Sequence, residues 1–170
     1  MLQNNYLNAI KLLDENGDRL KALGTQSEDL ISQAELILEA SLPSSYRDFV
    51  LKFGAMRFFG VEIKGIYTIE PNLINGFISP LDALNQTLKA HEEGDLPKNL
   101  LIIQDGLFAG ERICLDLSKK NDAGEYPVVA RRAGGSEMDP TYEKLAEDFG
   151  EYLLHQLEEE IQYLKEEGEW

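Results

Sequence analysis

The chain has one cysteine, one tryptophan and two histidines among 170 residues, and only 16 lysines and arginines against 31 aspartates and glutamates. Each scarcity excludes something. A lone Cys114 cannot form an intramolecular disulfide or a four-thiolate zinc site, and it fits a reducing compartment. His91 and His155 do not form the paired spacing of a helical zinc site, so no histidine-bound catalytic metal is implied. The deficit of cations leaves a formal net charge of -15. Such a surface repels nucleic acid and anionic membrane, and its natural complement is a basic partner.

Long apolar runs are missing as well. No window approaches the roughly 18 consecutive apolar residues of a membrane span, and residues 1–6 lack the basic start and apolar run of a signal peptide. The expectation is a cytoplasmic protein. The glycines at 106 and 110 frame no phosphate cradle, because the lysine of a P-loop is absent, and residues 106–111 read as a hairpin loop. Asp14, Asn16 and Asp18 imitate the opening of a calcium loop, but Arg19 replaces its glycine and Thr25 its bidentate glutamate. No cofactor or metal is expected.

What is present suits one domain over residues 1–170, since 43% hydrophobic content supplies a core. The organising stretch is 41–54. Pro43 suits the first helical position and Gly54 the left-handed stop, while Leu42, Tyr46, Phe49, Val50 and Phe53 share one face. Ser44, Ser45, Arg47, Asp48 and Lys52 fall mostly on the water side. Leu2, Tyr6, Ala9, Ile10 and Leu13 mark an earlier amphipathic helix. Thr25 and Glu28 have the form of a capping box for a helix carrying Leu30, Ile31, Ala34, Ile37 and Leu38.

After Gly54 the period changes to two. Phe59, Val61 and Ile63 predict a half-buried strand extended towards Tyr67. Ser79 and Pro80 predict a helix start, with Leu81, Leu84 and Leu88 facing inward and an end before Gly94. Residues 100–103 predict a buried central strand, 113–117 and 126–130 two more, and residues 121–124 a turn. Three or four strands then meander antiparallel. From about Pro140, Leu145, Phe149, Leu153, Leu157, Ile161 and Leu164 predict one long amphipathic helix. That segment is acidic: residues 137–170 hold twelve acids against Lys144 and Lys165.

Residues 28–54 resemble the signature segment of the SUKH superfamily, the Smi/Knr-like proteins. The matching residues are Ile31, Ala34, Glu35, Leu38, Leu42, Pro43, Tyr46, Phe49 and Gly54. Looser matches follow at 58–60, 101–103, 113–116 and 126–129. Glu39 stands where the family usually has glycine. The resemblance implies an α+β fold, with helices packed against a strongly bent mixed or antiparallel sheet. It also implies a non-enzymatic immunity protein that binds and neutralises a cognate polymorphic or contact-dependent toxin, often a nuclease. The alternative is a regulatory or scaffold interaction module.

The side chains agree with a binding role better than with catalysis. Cys114 lies in an alternating strand and reads as a small buried residue, while both histidines read as structural. Arg131 and Arg132 read as partners for nearby carboxylates. Acidic runs such as 158–160 are ordinarily solvated helix faces. Their functional use here would be a negative surface meeting the basic groove of a nuclease toxin. The candidate partner-binding residues are the aromatics Phe58, Phe77 and Phe108, for each of which core packing is an equal reading, and the acids Asp105, Glu111, Asp116, Glu158 and Glu159. Like charge on the long acidic helix opposes self-pairing, so a monomer or weak homodimer is expected, with no direct contact to nucleic acid or membrane.

Overall fold

The computed structural model describes residues 1–132 and 142–170. Among these the order is α1 (Asn4–Glu15), β1 (Leu20–Ala22), α2 (Glu28–Leu38), α3 (Ser44–Phe53), β2 (Met56–Phe58), β3 (Val61–Ile63), β4 (Leu73–Ile74) and β5 (Phe77–Ile78). There follow α4 (Ala83–Glu92), β6 (Leu100–Asp105), β7 (Glu111–Asp116), β8 (Val128–Arg132), β9 (Tyr142–Ala146) and α5 (Phe149–Glu166). The strands form three antiparallel sheets, ordered β1-β2-β3, β4-β5 and β6-β7-β8-β9. The expected α+β class and the antiparallel meander are both present.

The period-two pattern of the meander gives it two working faces. Leu101, Ile103, Ile113, Leu115, Val128 and Ala130 join the main core with α1, α3 and α5, whereas Leu100, Ile102, Cys114 and Val129 form a second cluster with Ala90 and Leu96. The main core centres on Phe149. Its ring meets Tyr46 edge-on at 5.1 Å and Phe49 at 5.4 Å, with Tyr6 at 6.4 Å. Such tilted contacts set the positive ring edge against a negative face. Gly150, beside Phe149, lets α1 and α5 approach, because a Cβ there would lie 2.6 Å from the Tyr6 Cβ.

Several expectations are corrected by context that lies far away in sequence. The expected strand from Phe59 is a hairpin: β2 and β3 pair through Phe58↔Val61, and Phe59 sits in the turn with φ 50°. The alternation ran through a turn that happens to keep its phase. Residues 100–103 lie in β6, at the edge of the four-stranded sheet, not in its middle. Their burial comes from α4, whose Thr87 hydroxyl accepts the Ile102 N–H at 3.0 Å, and from the Lys64 N–H bonded to the Ile103 carbonyl at 2.8 Å. An edge strand is thereby closed to further pairing at these groups.

Helix starts shift for similar reasons. Pro43 is the N-cap of α3, with extended ψ 151° at the equivalent cap Ser27 of α2 and 150° at Pro43 itself. Ser27, not Thr25, caps α2 by accepting the Leu30 N–H at 3.1 Å. Asp82 rather than Ser79 caps α4, accepting from the Asn85 N–H at 3.0 Å. Ser45, expected in water, is buried against Glu125. Pro140 lies outside the described residues. Within them residues 142–146 form β9, and α5 begins only at Phe149 behind the cap Asp148.

Candidate functional site

The β6–β7 connection turns tightly and throws two apolar side chains outward. The Gly106 N–H donates to the Glu111 carbonyl at 2.8 Å, and the Glu111 N–H to the Phe108 carbonyl at 3.0 Å. Gly106 is needed for space: a Cβ there would lie 2.3 Å from the Glu111 Cγ. At the tip Leu107 is 97% exposed and Phe108 59%. The hairpin loop expected at 106–111 is thus present, and it serves as a wall.

Opposite that wall runs α5, and between them the main-core face of the sheet continues past the end of the core. The result is a groove of about 510 Å³. Its floor is apolar, formed by Ile113, Ala130, Leu145 and Ala146, and its rim carries Asp105, Glu111, Glu143, Glu151 and Glu159. Arg132 and His155 are the basic groups of the lining. The size falls within the range of about 300–1,000 Å³ usual for binding clefts.

Most rim groups have defined partners. Arg132 Nε donates to the Glu111 carboxylate at 2.8 Å, and its guanidinium carbon lies 4.8 Å from the centre of the Phe108 ring. The Glu111 hydrogen bond and charge raise the Arg132 pKa, so the cation is fixed. This is the carboxylate pairing expected for that arginine. Asp105 meets the Nζ of buried Lys64 at 3.1 Å, and that same ammonium donates to the Pro80 carbonyl. Glu151 accepts the Glu147 N–H at 2.6 Å while its own N–H donates to Asp148, so it holds the start of α5. Glu143 and Glu159 are exposed on the rim, with His155 Nδ1 3.4 Å from Glu159.

The chemistry offered is that of a charged clamp. The Tyr152 hydroxyl donates to Gln104 Oε1, and burial raises its pKa well above the ordinary tyrosine value, so it stays protonated. Cys114 is on the other face of the sheet, fully buried, and burial pushes its thiol up to about 12. It is the small core residue its alternation suggested. His91 Nε2 lies 3.0 Å from the Leu100 carbonyl, which fixes that nitrogen as the protonated one, and burial lowers the ring pKa. Among the described residues no three potential metal ligands cluster, and no helix is long and apolar enough to cross a membrane.

The groove gathers four of the eight residues singled out from sequence: Asp105, Phe108, Glu111 and Glu159. Glu158 lies beside them on an adjoining patch of α5 with Gln162 and Glu166. Three lie elsewhere. Phe58 is 1% exposed and belongs to the core, so it offers no anchor. Asp116 is buried at the far end of β7, where it accepts from Asn99 at 2.8 Å and from the Ser118 hydroxyl at 2.6 Å. Phe77, 75% exposed, stands on the separate β4–β5 hairpin. Glu143, Leu145, Glu151 and Tyr152 were missed, because 140–164 read as one helix, while His155 read as structural. Asp148 followed three residues later by Glu151 was the available start signal.

A family model of SUKH type, described as SMI1-KNR4 cell-wall, matches residues 28–153. The match runs from the first residue of α2 into α5. It includes the β6–β7 wall, the floor and the Glu143 and Glu151 parts of the rim, and it stops before His155 and Glu159.

Proposed function

Because this chain belongs to the SUKH family, the group described as SMI1-KNR4 cell-wall, we propose that it is a non-enzymatic immunity protein that binds a cognate toxin and occludes its active site. The partner is a basic domain, of the kind a nuclease toxin presents to its substrate. The observation that supports this reading is the groove itself: five carboxylates surround an apolar floor, and although Arg132 is tied to Glu111 and Lys64 to Asp105, Glu143 and Glu159 stay exposed on its rim. Complementary charge accelerates encounter about 10- to 1000-fold, and a few desolvated anchors then supply affinity.

The test is a pairwise one in the native genetic setting. The chain is co-expressed with the C-terminal domain of each protein encoded beside it, and nuclease activity and association rate are measured across ionic strength. The reading expects stoichiometric inhibition, loss of protection in cells lacking this chain, and association that slows as salt rises. Capture of a nucleic acid in preference to that domain, or an association rate indifferent to salt, overturns it.

A further inference from the structure

The groove also specifies what kind of segment fills it. Ile113, Ala130 and Ala146 are core residues, and their outer edges form its floor. An apolar side chain entering there extends the core and removes more apolar surface from water. The rim demands the opposite character. Glu143 and Glu159 are exposed acids on two different elements, β9 and α5, facing one opening.

The molecule contains its own precedent for what such a rim holds. Arg132 is seated between the Glu111 carboxylate, at 2.8 Å, and the Phe108 ring, at 4.8 Å. That pairing of ion contact and ring face is how proteins grip a guanidinium.

Resting on the binding reading above, we infer that the groove takes a partner segment in which an apolar side chain, seated on Ile113, Ala130 and Leu145, is flanked by arginine or lysine bonded to Glu143 and Glu159. Two features of the partner follow. Its contact segment is amphipathic and not uniformly basic. Its cations reach two separate points of the rim, since Glu143 stands on β9 and Glu159 on α5. A second copy of this chain does not meet the description, because the chain is strongly acidic.

Fluorescence anisotropy with three labelled twelve-residue synthetic peptides tests this directly. One alternates leucine and arginine, one serine and arginine, one leucine and glutamate. The expected result is that the leucine–arginine peptide binds at least tenfold more tightly than either control. The double variant E143K/E159K should weaken it tenfold or more. The double variant D95K/D122K changes net charge equally at exposed positions away from the groove, and should weaken it less than threefold. Equal binding of the serine–arginine peptide, or equal losses in the two double variants, overturns the inference in favour of diffuse charge attraction. The outcomes separate from those of the parent reading. A chain that grips the leucine–arginine peptide yet fails to inhibit the toxin keeps the groove assignment and loses the neutralising role, and inhibition undiminished in E143K/E159K does the reverse.

Discussion

The Glu125 carboxylate holds both hydrogen-bond donors of Ser45, eighty residues away, accepting its N–H at 3.0 Å and its hydroxyl at 2.5 Å. Glu125 lies in the loop between β7 and β8, and Ser45 in the first turn of α3, so the contact ties the meander to the helix start. A free N–H at a helix N-terminus needs an acceptor, and an anion there suits the dipole. Replacing Glu125 by alanine leaves two buried donors unsatisfied and should cost about 1–3 kcal/mol, measured by urea denaturation. Ser45→Ala should cost less, since the N–H keeps its acceptor.

The same contact predicts a pH dependence with a definite sign. Burial pushes the Glu125 pKa up, against the downward pull of the two Ser45 donors, and the net displacement is upward from the ordinary value of 4.5. The folded state therefore binds the proton more tightly than the unfolded chain. Stability from this group is complete below 4.5 and declines as pH rises through the higher folded midpoint. Asp116 runs the other way. Burial raises its pKa, but the Ser118 and Asn99 donors outweigh that and leave it lowered, so its contribution is present above 3.8 and is lost as pH falls through its folded midpoint. Carbon-detected NMR titration of the side-chain carboxyls should show the Glu125 midpoint above, and the Asp116 midpoint below, the unfolded values.

Gly150 predicts a packing effect. Its added Cβ would lie 2.6 Å from the Tyr6 Cβ and 2.8 Å from the Tyr6 backbone nitrogen, and backbone cannot swing aside. Although alanine favours helices by about 1 kcal/mol over glycine, Gly150→Ala should destabilise by about 1–3 kcal/mol because α1 must move away. Thermal denaturation decides it. An unchanged or raised midpoint would show that α1 and α5 accommodate the methyl group.

Phe58 and Phe77 look alike as isolated residues and should behave oppositely. Phe58 is enclosed in the core, so Phe58→Ala should cost about 3–5 kcal/mol. Phe77 stands in water on a two-stranded hairpin, and Phe77→Ala should fall within about 0.5 kcal/mol of the parent. Denaturant midpoints of the two variants, compared side by side, check the pair.

That contrast marks what the sequence could show. Amphipathic helices such as α1 and α3 were legible because their faces repeat locally, and Tyr46, Phe49, Val50 and Phe53 are buried as their spacing required. Whether an aromatic beside a turn points inward depends on strands paired elsewhere, so Phe58 was not legible. β1 is three residues long and exists through its pairing with β2, too short for a period to register. The groove was half legible. Asp105, Phe108 and Glu111 announced themselves as loop acids and a loop aromatic, but Glu143 and Leu145 hid in a step of four that continued by chance from β9 into α5. Only the register Ala130↔Glu143 brings that residue beside the floor.

Cys114 predicts a chemical test of the core. Its thiol, pushed up to about 12 by burial, is almost wholly protonated at neutral pH and shielded by the Ala90 and Leu96 cluster. Iodoacetamide at pH 8 should label the native chain only as fast as the chain opens, and full labelling should need denaturant. Mass spectrometry against time reads this, and rapid labelling of the native protein would show that α4 does not seal that face.

Glu39 offers a stabilising change. It ends α2 with φ 54° and ψ 33°, the left-handed conformation in which a β-carbon crowds its own carbonyl, and its side chain is exposed. Its N–H donates back to the Leu36 carbonyl at 3.3 Å, so the position works as a helix stop through its backbone alone. A glycine meets that geometry without strain. For a residue other than glycine the conformation costs about 1–2 kcal/mol, and the greater freedom of glycine in the unfolded chain offsets part of the gain. Glu39→Gly should therefore raise stability by about 0.5–1 kcal/mol, read as a higher urea midpoint with an unchanged slope. A lower midpoint would mean that the Glu39 side chain makes a contribution larger than the strain it sits in.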